Sequence, residues 1–446
     1  MVMIGKLLRF GRRQLHTIIS REIIKPVNPT PSRLNTYNLS ESDLHADRAY
    51  VPLILFYPNN AGGNLTAQDK ASVLKKSLSQ SLTKYHHFAG RLPTPTTPYI
   101  SCNDEGVVFL EARSDSRLDE FQLSSAQDGN LENLFADNMV CFNSPHNPNL
   151  VGVQLNHFAC GGVGLAVSMS HLVGDGCTLG SFMNQWASVA RYGSPEHKEV
   201  LPLNPHFIHV PRTNSPLPEA PVMNQQLLST HVMRKFVFPN SKLDDLKKVV
   251  ADDTISPTRV EVLTSLLYRT AVAAATANSG CFKPSSLFMM ADIRKNFVDK
   301  LPQTTVGNLL SLMIVPTRRE SETSLSMLVA EIKKQKLLMR EIQSVQQSVE
   351  NSKLLMRNLG IEDFEHLVKG SYASTSLCGF PFNKVDFGWG KPMAKALAFR
   401  SVHRNGFLLM DTPDDDGIEA HVMLKNEDME IFQNDKELLS FCQVYM

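Results

Sequence analysis

Apolar residues follow two different spacings along the chain, and each spacing predicts one kind of element. In residues 66–85 the apolar side chains recur every three or four positions, as at Leu74 and Leu78, which predicts an amphipathic helix. The run Arg48–Pro58 is apolar over most of its length and ends in proline, which is typical of a buried strand. Both patterns recur in the two halves of the chain. Strand-like runs lie at 106–112, 150–156, 162–170 and 231–239, and helical patterns at 178–192, 242–251, 257–277 and 321–350.

A proline-rich stretch separates the two halves. Six prolines lie between Leu201 and Gln226, and the stretch has no sustained periodicity. Such a segment suits an extended crossover between domains. At 446 residues the chain is also too long for one ordinary core. We therefore predict two similar-sized mixed α/β domains, at 19–200 and 227–446, joined by a crossover linker at 201–226.

The first residues of the chain are basic and apolar. Residues 1–18 carry one lysine and three arginines without an acidic residue. This composition is typical of a mitochondrial transit peptide, and equally of a frayed leader or an alternative start. The fold is predicted to begin near Ile19. We expect a cytoplasmic protein, with organelle targeting as the alternative if the leader is a transit peptide.

Charge and cysteine usage narrow the classes of partner. The chain has 45 basic and 44 acidic residues, which argues against nucleic acid or an anionic membrane as the main partner. No apolar stretch is long enough to span a bilayer. The seven cysteines are scattered without a C-x-x-C pair, which indicates free thiols in a reducing compartment. A bound metal is not expected.

The candidate chemistry begins in "SMSHLVGDG", residues 168–176, between a strand-like run and a helical one. Histidine is suited to take and return a proton near neutral pH. A spacing of four would place His171 and Asp175 on one face of a helix, but the glycines on either side of Asp175 favour a turn. A metal site would need further ligands at a recognisable spacing. The residues alone leave a catalytic base and a polar turn both open.

A second motif, "DFGWG", lies in the other half of the chain at Asp386–Gly390. H-x-x-x-D-G followed at this distance by D-F-G-W-G resembles the plant BAHD acyltransferases. The segments "VPLILFYP", "FAGRL", "TRVEVLTSLLYR", "ADIRKNF" and "VGNLL" look like further landmarks of that family, in the family's order. The opening "REIIKPVNPTP" is most similar to the branch of vinorine synthase and salutaridinol acetyltransferase, which acetylate hydroxyls of alkaloids and terpenoids.

The resemblance implies two α/β domains of the CoA-dependent acyltransferase type with an active-site channel between them. It implies that His171 takes the proton of an acceptor hydroxyl as the oxygen attacks the thioester of an acyl-CoA. Because a thioester already has a good leaving group, one base, positioned substrates and donors for the oxyanion suffice. Acyl-CoA, and acetyl-CoA first, is expected as co-substrate, with no bound cofactor. A monomer that binds acyl-CoA and a small alcohol is expected.

The resemblance also gives supporting roles to other residues. Asp175 is expected to point away from the channel and to pair with Arg294, unless Asp292 competes for that arginine. Breaking such a buried pair would reduce folding as much as catalysis. Expected channel-lining residues are Thr375, Ser376, Leu377 and Asn308, and expected structural residues are Asp386, Gly388, Trp389 and Gly390.

Coenzyme A also needs its phosphates held, and a helix start is a candidate for this. Ser256 is predicted to be the N-cap of a helix, with Pro257 at its first position and Arg259 in its first turn. Free N–H groups at a helix N-terminus and an arginine suit an anion, although a solvated helix start is an equal alternative.

Some positions depart from the family. Leu377 and Gly379 replace a tryptophan and an arginine that many relatives carry, which predicts a roomier or more apolar acceptor pocket. His87 stands where relatives carry proline, which we interpret as a surface or packing change. Three alternatives to acetyl transfer remain: another donor (aliphatic, benzoyl or malonyl), an amine acceptor or C–C bond cleavage by the same base, and a non-catalytic ligand-binding relative.

Overall fold

The computed structural model describes most of the chain. The described residues are 16–46, 48–59, 65–119, 130–140, 148–193, 204–212, 216–217, 230–250, 256–358, 371–398 and 405–444. Most of the predicted leader and most of the predicted crossover linker therefore lie outside the described residues. The first described element already begins at His16, three residues before the predicted start of the fold.

Strands and helices alternate along both halves of the chain. The strands are β1 (His16–Ile24), β2 (Thr36–Asn38), β3 (Tyr50–Tyr57), β4 (Tyr99–Ser101), β5 (Val107–Ser114), β6 (Val151–Phe158), β7 (Val163–Ser170), β8 (His231–Pro239), β9 (Ser285–Asp292), β10 (Leu310–Thr317), β11 (Ser371–Ser376), β12 (Ala394–Leu397), β13 (Gly406–Asp411), β14 (Gly417–Lys425) and β15 (Gln443–Val444). The α-helices are α1 (Glu41–His45), α2 (Ala67–Lys84), α3 (Gly176–Tyr192), α4 (Asn240–Val250), α5 (Arg259–Ser279), α6 (Leu325–Met339), α7 (Val345–Asn358), α8 (Asn426–Phe432) and α9 (Lys436–Phe441).

Six strands form the first large sheet, in the order β1-β5-β6-β7-β3-β12. β5 and β6 are parallel, and the other neighbours are antiparallel. β3 and β7 are buried along their whole length, as their continuous apolar runs predict. Helices α2 and α3 pack on this sheet with Leu74, Leu78 and Trp186 wholly buried. The strands and helices predicted in the first half of the chain are confirmed.

Seven strands form the second large sheet, in the order β10-β9-β11-β13-β14-β8-β15. β11 runs parallel to both of its neighbours, β9 and β13, and the other pairs are antiparallel. Helix α5 buries Leu263, Leu266 and Leu267 in a core of its own with this sheet. The predicted mixed α/β fold is therefore confirmed.

One strand from the second half of the sequence joins the first sheet. β12 pairs antiparallel with β3. Tyr57, the last residue of β3, donates a hydrogen bond from its hydroxyl to the carbonyl of Val385 at 3.0 Å. In the described part of the linker, Leu217 is buried in the first core and donates from its N–H to the carbonyl of Thr96 at 2.9 Å. The domain bounds of 19–200 and 227–446 stay a prediction, and the second range includes a strand of the first sheet.

One predicted helix is divided into two helices in the structure. The pattern at 321–350 predicts one helix, but α6 ends at Met339 and α7 begins at Val345. The last turn of α6 tightens into i→i+3 hydrogen bonds, and Ile342 then enters the core between the helices. Ser344 accepts from the N–H of Gln347 at 3.1 Å and thereby starts the second helix.

None of the helices in the described ranges is long and apolar enough to cross a membrane. His87 is wholly buried and stacks on Tyr37, with ring centroids 4.5 Å apart. It is therefore a packing change and not a surface change. Burial lowers the pKa of His87 well below its ordinary value.

Candidate active site

His171 opens a short turn between a strand and a helix. β7 ends at Ser170, and His171–Val173 form one 3-10 turn in which Leu172 donates from its N–H to the Ser170 hydroxyl at 3.2 Å. The next residue, Gly174, has no room for a side chain, because a Cβ there would lie 2.5 Å from a methyl carbon of Thr178. The motif is thus a turn followed by a helix.

Asp175 caps the helix that follows this turn. It is the N-cap of α3, and its Oδ1 accepts from the N–H of Thr178 at 2.9 Å. His171 and Asp175 therefore do not share a helix face. The aspartate faces the second half of the chain instead of the imidazole.

Asp175 and Arg294 form a buried ion pair. Arg294 donates from Nη1 to Asp175 Oδ2 at 2.8 Å and from Nη2 to Oδ1 at 2.9 Å, and both side chains are at most 1% exposed. Asp292 contacts the same guanidinium at 3.1 Å without displacing Asp175. The carbonyls of Thr305 and Gly307 accept the other N–H groups of Arg294. Each of the three guanidinium nitrogens of Arg294 therefore donates to at least one acceptor.

The electrostatics of the pair follow from this geometry. Burial on its own lowers the pKa of Arg294, but the charge of Asp175 and its hydrogen bonds outweigh burial and raise it. Arg294 is therefore permanently charged. Because Thr178 also bonds to Gly307 in both directions, the pair fixes the start of α3 against the loop before β10.

Asn308 is in contact with His171. Its side-chain Nδ2 donates to the backbone carbonyl of His171 at 2.5 Å, and its Oδ1 lies 3.3 Å from His171 Nδ1. The imidazole is half-buried, and its Nδ1 edge faces this amide. Asn308, predicted to line the channel, is thus a direct neighbour of the predicted base.

Asp43 is a residue of the site that the sequence reasoning missed. It is 1% exposed, and its Oδ1 accepts from the backbone N–H and the side-chain Nδ2 of Asn308, at 2.9 and 2.8 Å. Its Oδ2 accepts from the N–H and hydroxyl of Ser40. The S-x-x-D spacing at 40–43 signals a capping box, but it does not signal burial against a distant asparagine.

The "DFGWG" loop packs on the first core through Phe387 and Trp389. Asp386 Oδ1 accepts from the N–H groups of Gly388 and Gly390, at 2.8 and 2.9 Å, and both glycines have positive φ. Trp389 is 1% exposed and stacks on Phe387. Asp386 also forms an ion pair with Arg191 at 3.1 Å.

The other predicted lining residues lie at the end of β11. Thr375 and Ser376 are half-buried, and in the described part of the chain neither hydrogen-bonds to His171. Leu377 is 7% exposed, and its methyl carbon lies 2.9 Å from the place where a Cβ on Gly176 would be. Leu377 therefore packs directly against the glycine that follows Asp175.

The helix at the predicted phosphate site begins two residues later than predicted. The N-cap of α5 is Thr258 and not Ser256, because Glu261 completes a capping box with Thr258. Arg259 bonds to Asn240 and Asp411, and its side chain is 35% exposed. Lys336 donates to the buried Glu261 carboxylate at 2.7 Å. This helix start is already capped by its own residues.

Comparison with known proteins places this geometry in a family. A sequence model of the Transferase family matches residues 16–439. The chain is 32% identical over 438 residues to 17,18-epoxy-17-hydroxycur-19-ene N-malonyltransferase of Strychnos nux-vomica, covering 96% of this chain and 90% of that one. It is 34% identical over 445 residues to deacetylvindoline O-acetyltransferase of Catharanthus roseus, covering 95% and 97%. The chain belongs to the plant BAHD acyltransferase family.

The fold agrees with this membership. The crystal structure of vinorine synthase superimposes with a TM-score of 0.78 at 26% identity, covering 96% of this chain and 99% of that one. The predicted family is therefore confirmed, and this BAHD protein is an acyltransferase of class EC 2.3.1 with acyl-CoA as co-substrate.

Proposed function

We propose that this BAHD acyltransferase moves an acetyl group from acetyl-CoA to a hydroxyl of a plant specialised metabolite, an alkaloid or terpenoid alcohol, with His171 as general base. The observation that carries the proposal is the contact between His171 Nδ1 and Asn308 Oδ1. An amide oxygen accepts a hydrogen bond, so Nδ1 carries the ring proton. Nε2 then holds the lone pair that a base needs.

The reaction needs one proton carrier. Nε2 takes the proton of the acceptor hydroxyl as its oxygen attacks the thioester carbonyl carbon. The tetrahedral intermediate then expels the coenzyme A thiolate as the C–S bond breaks, and the imidazolium returns the proton to the departing sulfur. No acyl group is attached to the protein at any stage, so both substrates must be bound together.

Asp175 has a structural role in this proposal. Its charge is neutralised by Arg294, and none of its described hydrogen bonds reaches His171. It supports the site because its helix cap and its ion pair fix the turn that carries His171. Within one motif, His171 therefore has a catalytic role and Asp175 a structural one.

The coenzyme A contacts remain a prediction. Ser256 loses its role as N-cap, and Arg259 already shares its guanidinium with Asp411 at 3.3 Å. We retain Arg259 as a candidate phosphate contact because part of its side chain is open to solvent. Thr375, Ser376 and Leu377 are retained as candidates to shape the acceptor side.

A second candidate function is transfer of a malonyl group to an amine. The N-malonyltransferase from Strychnos favours it, because that relative matches nearly the whole chain. The O-acetyltransferase from Catharanthus favours acetyl transfer to an alcohol at similar identity. Activity with each donor tested separately distinguishes the two functions.

The decisive experiment measures release of the coenzyme A thiol with acetyl-CoA or malonyl-CoA and a panel of alkaloid and terpenoid alcohols and amines. We expect acceptor-dependent release with acetyl-CoA, and its loss in His171→Ala. His157→Ala is the matched control, because His157 is a half-buried histidine on β6 that bonds to Glu111. Unchanged release in a folded His171→Ala variant would refute His171 as base, and release with malonyl-CoA alone would favour the second function.

A further inference from the structure

Asp43 is a buried carboxylate held by hydrogen bonds alone. It is 1% exposed, and no salt bridge reaches it from the residues that the structure describes. Its two oxygens accept four hydrogen bonds, from the N–H and hydroxyl of Ser40 and from the N–H and amide Nδ2 of Asn308. Burial raises the pKa of Asp43, and these hydrogen bonds oppose the rise. An unpaired buried charge is costly, so a reason for its position is needed.

Helix capping does not supply that reason. The chain contains a second capping box with the same local geometry, in which Asp69 Oδ2 accepts from the N–H of Thr66 at 2.9 Å and from its hydroxyl at 2.7 Å. The corresponding distances from Ser40 to Asp43 are 2.8 and 2.7 Å. Asp69 does this at an exposed helix start. What distinguishes Asp43 is its other oxygen, which faces Asn308.

The contacts of Asn308 leave its amide only one orientation. Its Nδ2 donates to Asp43 Oδ1 at 2.8 Å and to the His171 carbonyl at 2.5 Å. Both partners act as acceptors, because Asp43 Oδ1 also accepts from the backbone N–H of Asn308 and the other partner is a backbone carbonyl. A flipped amide would place its oxygen against two other oxygens. Asn308 Oδ1 must therefore face His171 Nδ1.

We propose that Asp43 is a positioning residue for the reaction, because it locks the Asn308 amide in the orientation that makes His171 a base at Nε2. The proposal rests on the proposed role of His171. Without the carboxylate, Nδ2 keeps only the His171 carbonyl as acceptor, so the amide turns its Nδ2 toward Nδ1 more readily, and this favours the tautomer that carries the proton at Nε2. That tautomer has no lone pair for the acceptor hydroxyl.

The kinetic test is a double-mutant cycle with Asp43→Ala and Asn308→Ala. Alanine removes the oxygen that accepts both Asn308 donors, whereas asparagine could keep one. We expect Asp43→Ala to lower kcat about ten- to a hundredfold with less than about threefold change in either KM, because a lost base costs at most about 10²–10⁴-fold. In the Asn308→Ala background the same substitution should cause little further loss, since Asp43 acts through Asn308. Losses in kcat that multiply fully would overturn the proposal.

Asp69→Ala is the matched control for the loss of a capping box. It should leave kcat at the wild-type level, because Asp69 contacts only its own helix start among the described residues. If Asp43→Ala does not fold, Asn308→Asp offers a second test. It keeps an oxygen facing Nδ1 but opposes Asp43 with a second charge, so kcat should recover on combining it with Asp43→Asn. Absence of recovery in a folded double variant would contradict the proposal.

A spectroscopic test reads the tautomer directly. Imidazole nitrogen shifts of 15N-histidine-labelled protein distinguish protonated from unprotonated ring nitrogens, and the His171 signals are those absent in His171→Ala. We expect a proton at Nδ1 in the wild type and a shift toward Nε2 in Asp43→Ala. An unchanged tautomer would refute the role of Asp43 while leaving His171 as base intact. Full activity of His171→Ala would instead refute the proposed function itself.

Discussion

In the part of the chain that the structure describes, two aspartate–arginine pairs join the two halves, and they differ in how far water reaches them. Asp175 of the first half contacts Arg294 of the second through two hydrogen bonds, with side-chain exposures of 1% and 0%. Asp386 of the second half contacts Arg191 of the first through one hydrogen bond at 3.1 Å, with exposures of 19% and 48%. The charges are the same, but the environments are opposite.

The surroundings of each arginine explain the difference. Arg294 has all its N–H directions filled by carboxylates and by the carbonyls of Thr305 and Gly307. Arg191 lies in the last turn of α3 over the ring of Tyr192, at 5.3 Å, where water can replace any partner. A buried charge that loses its partner cannot be rehydrated, whereas an exposed one can. Burial, more than charge, should therefore decide what each pair contributes.

The largest effect is expected from Asp175→Ala. It leaves the Arg294 guanidinium buried beside only Asp292, and the free energy of unfolding should fall by about 3–5 kcal/mol. Activity per milligram should fall with the folded fraction. Urea unfolding followed by circular dichroism measures the change, and a loss below about 1 kcal/mol would contradict the role of the buried pair.

Arg294→Lys should have the next largest effect. It keeps the positive charge but replaces a planar fork that serves Asp175, Thr305 and Gly307 with a single ammonium. Several buried acceptors lose their donors, so the free energy of unfolding should fall by about 2 kcal/mol. The same denaturant titration tests this. Wild-type stability in Arg294→Lys would show that charge alone holds the helix start.

Asp386→Ala should have a smaller and local effect. It removes the acceptor for the N–H groups of Gly388 and Gly390, and we expect about 1–2 kcal/mol of destabilisation. Hydrogen exchange of a peptide that covers residues 385–392 should become faster, while exchange in β7 stays unchanged. Asp386→Asn is the control, because its amide oxygen can still accept from both glycines. Equal exchange in the two variants would show that the ion pair, and not the loop hydrogen bonds, holds this segment.

Elements with strong local patterns could be predicted from the sequence, and those decided by competing local signals could not. α2 combines helical apolar spacing with a capping box, so pattern and cap agree. At α5 two hydroxyl residues compete for the cap, and Glu261 three positions after Thr258 decides in favour of Thr258. Between α6 and α7, at 340–344, the helix is interrupted, but Ile342 is still buried in the core. The apolar pattern therefore continues across the interruption and does not reveal it.

The residues of the candidate site could be predicted only in part from the sequence, for a different reason. His171 and Asp175 lie in one short motif, but Asp43 and Asn308 are 265 residues apart and meet through the packing of α1 against the loop before β10. No local spacing records such a contact. The orientation of the Asn308 amide, which decides where the proton of His171 lies, depends on three separate segments at once.

Arg191→Ala should have the smallest effect of the four. Its partner Asp386 keeps both glycine N–H groups, and the lost ion pair is open to water, so the free energy of unfolding should change by about 0–0.5 kcal/mol. The small difference should shrink further as salt is raised, because exposed charges are screened. Denaturant unfolding at low and high salt measures both. If Arg191→Ala costs as much as Arg294→Lys, then burial does not set the contribution of these two pairs, and the bond to Asp386 must be shielded from water in solution.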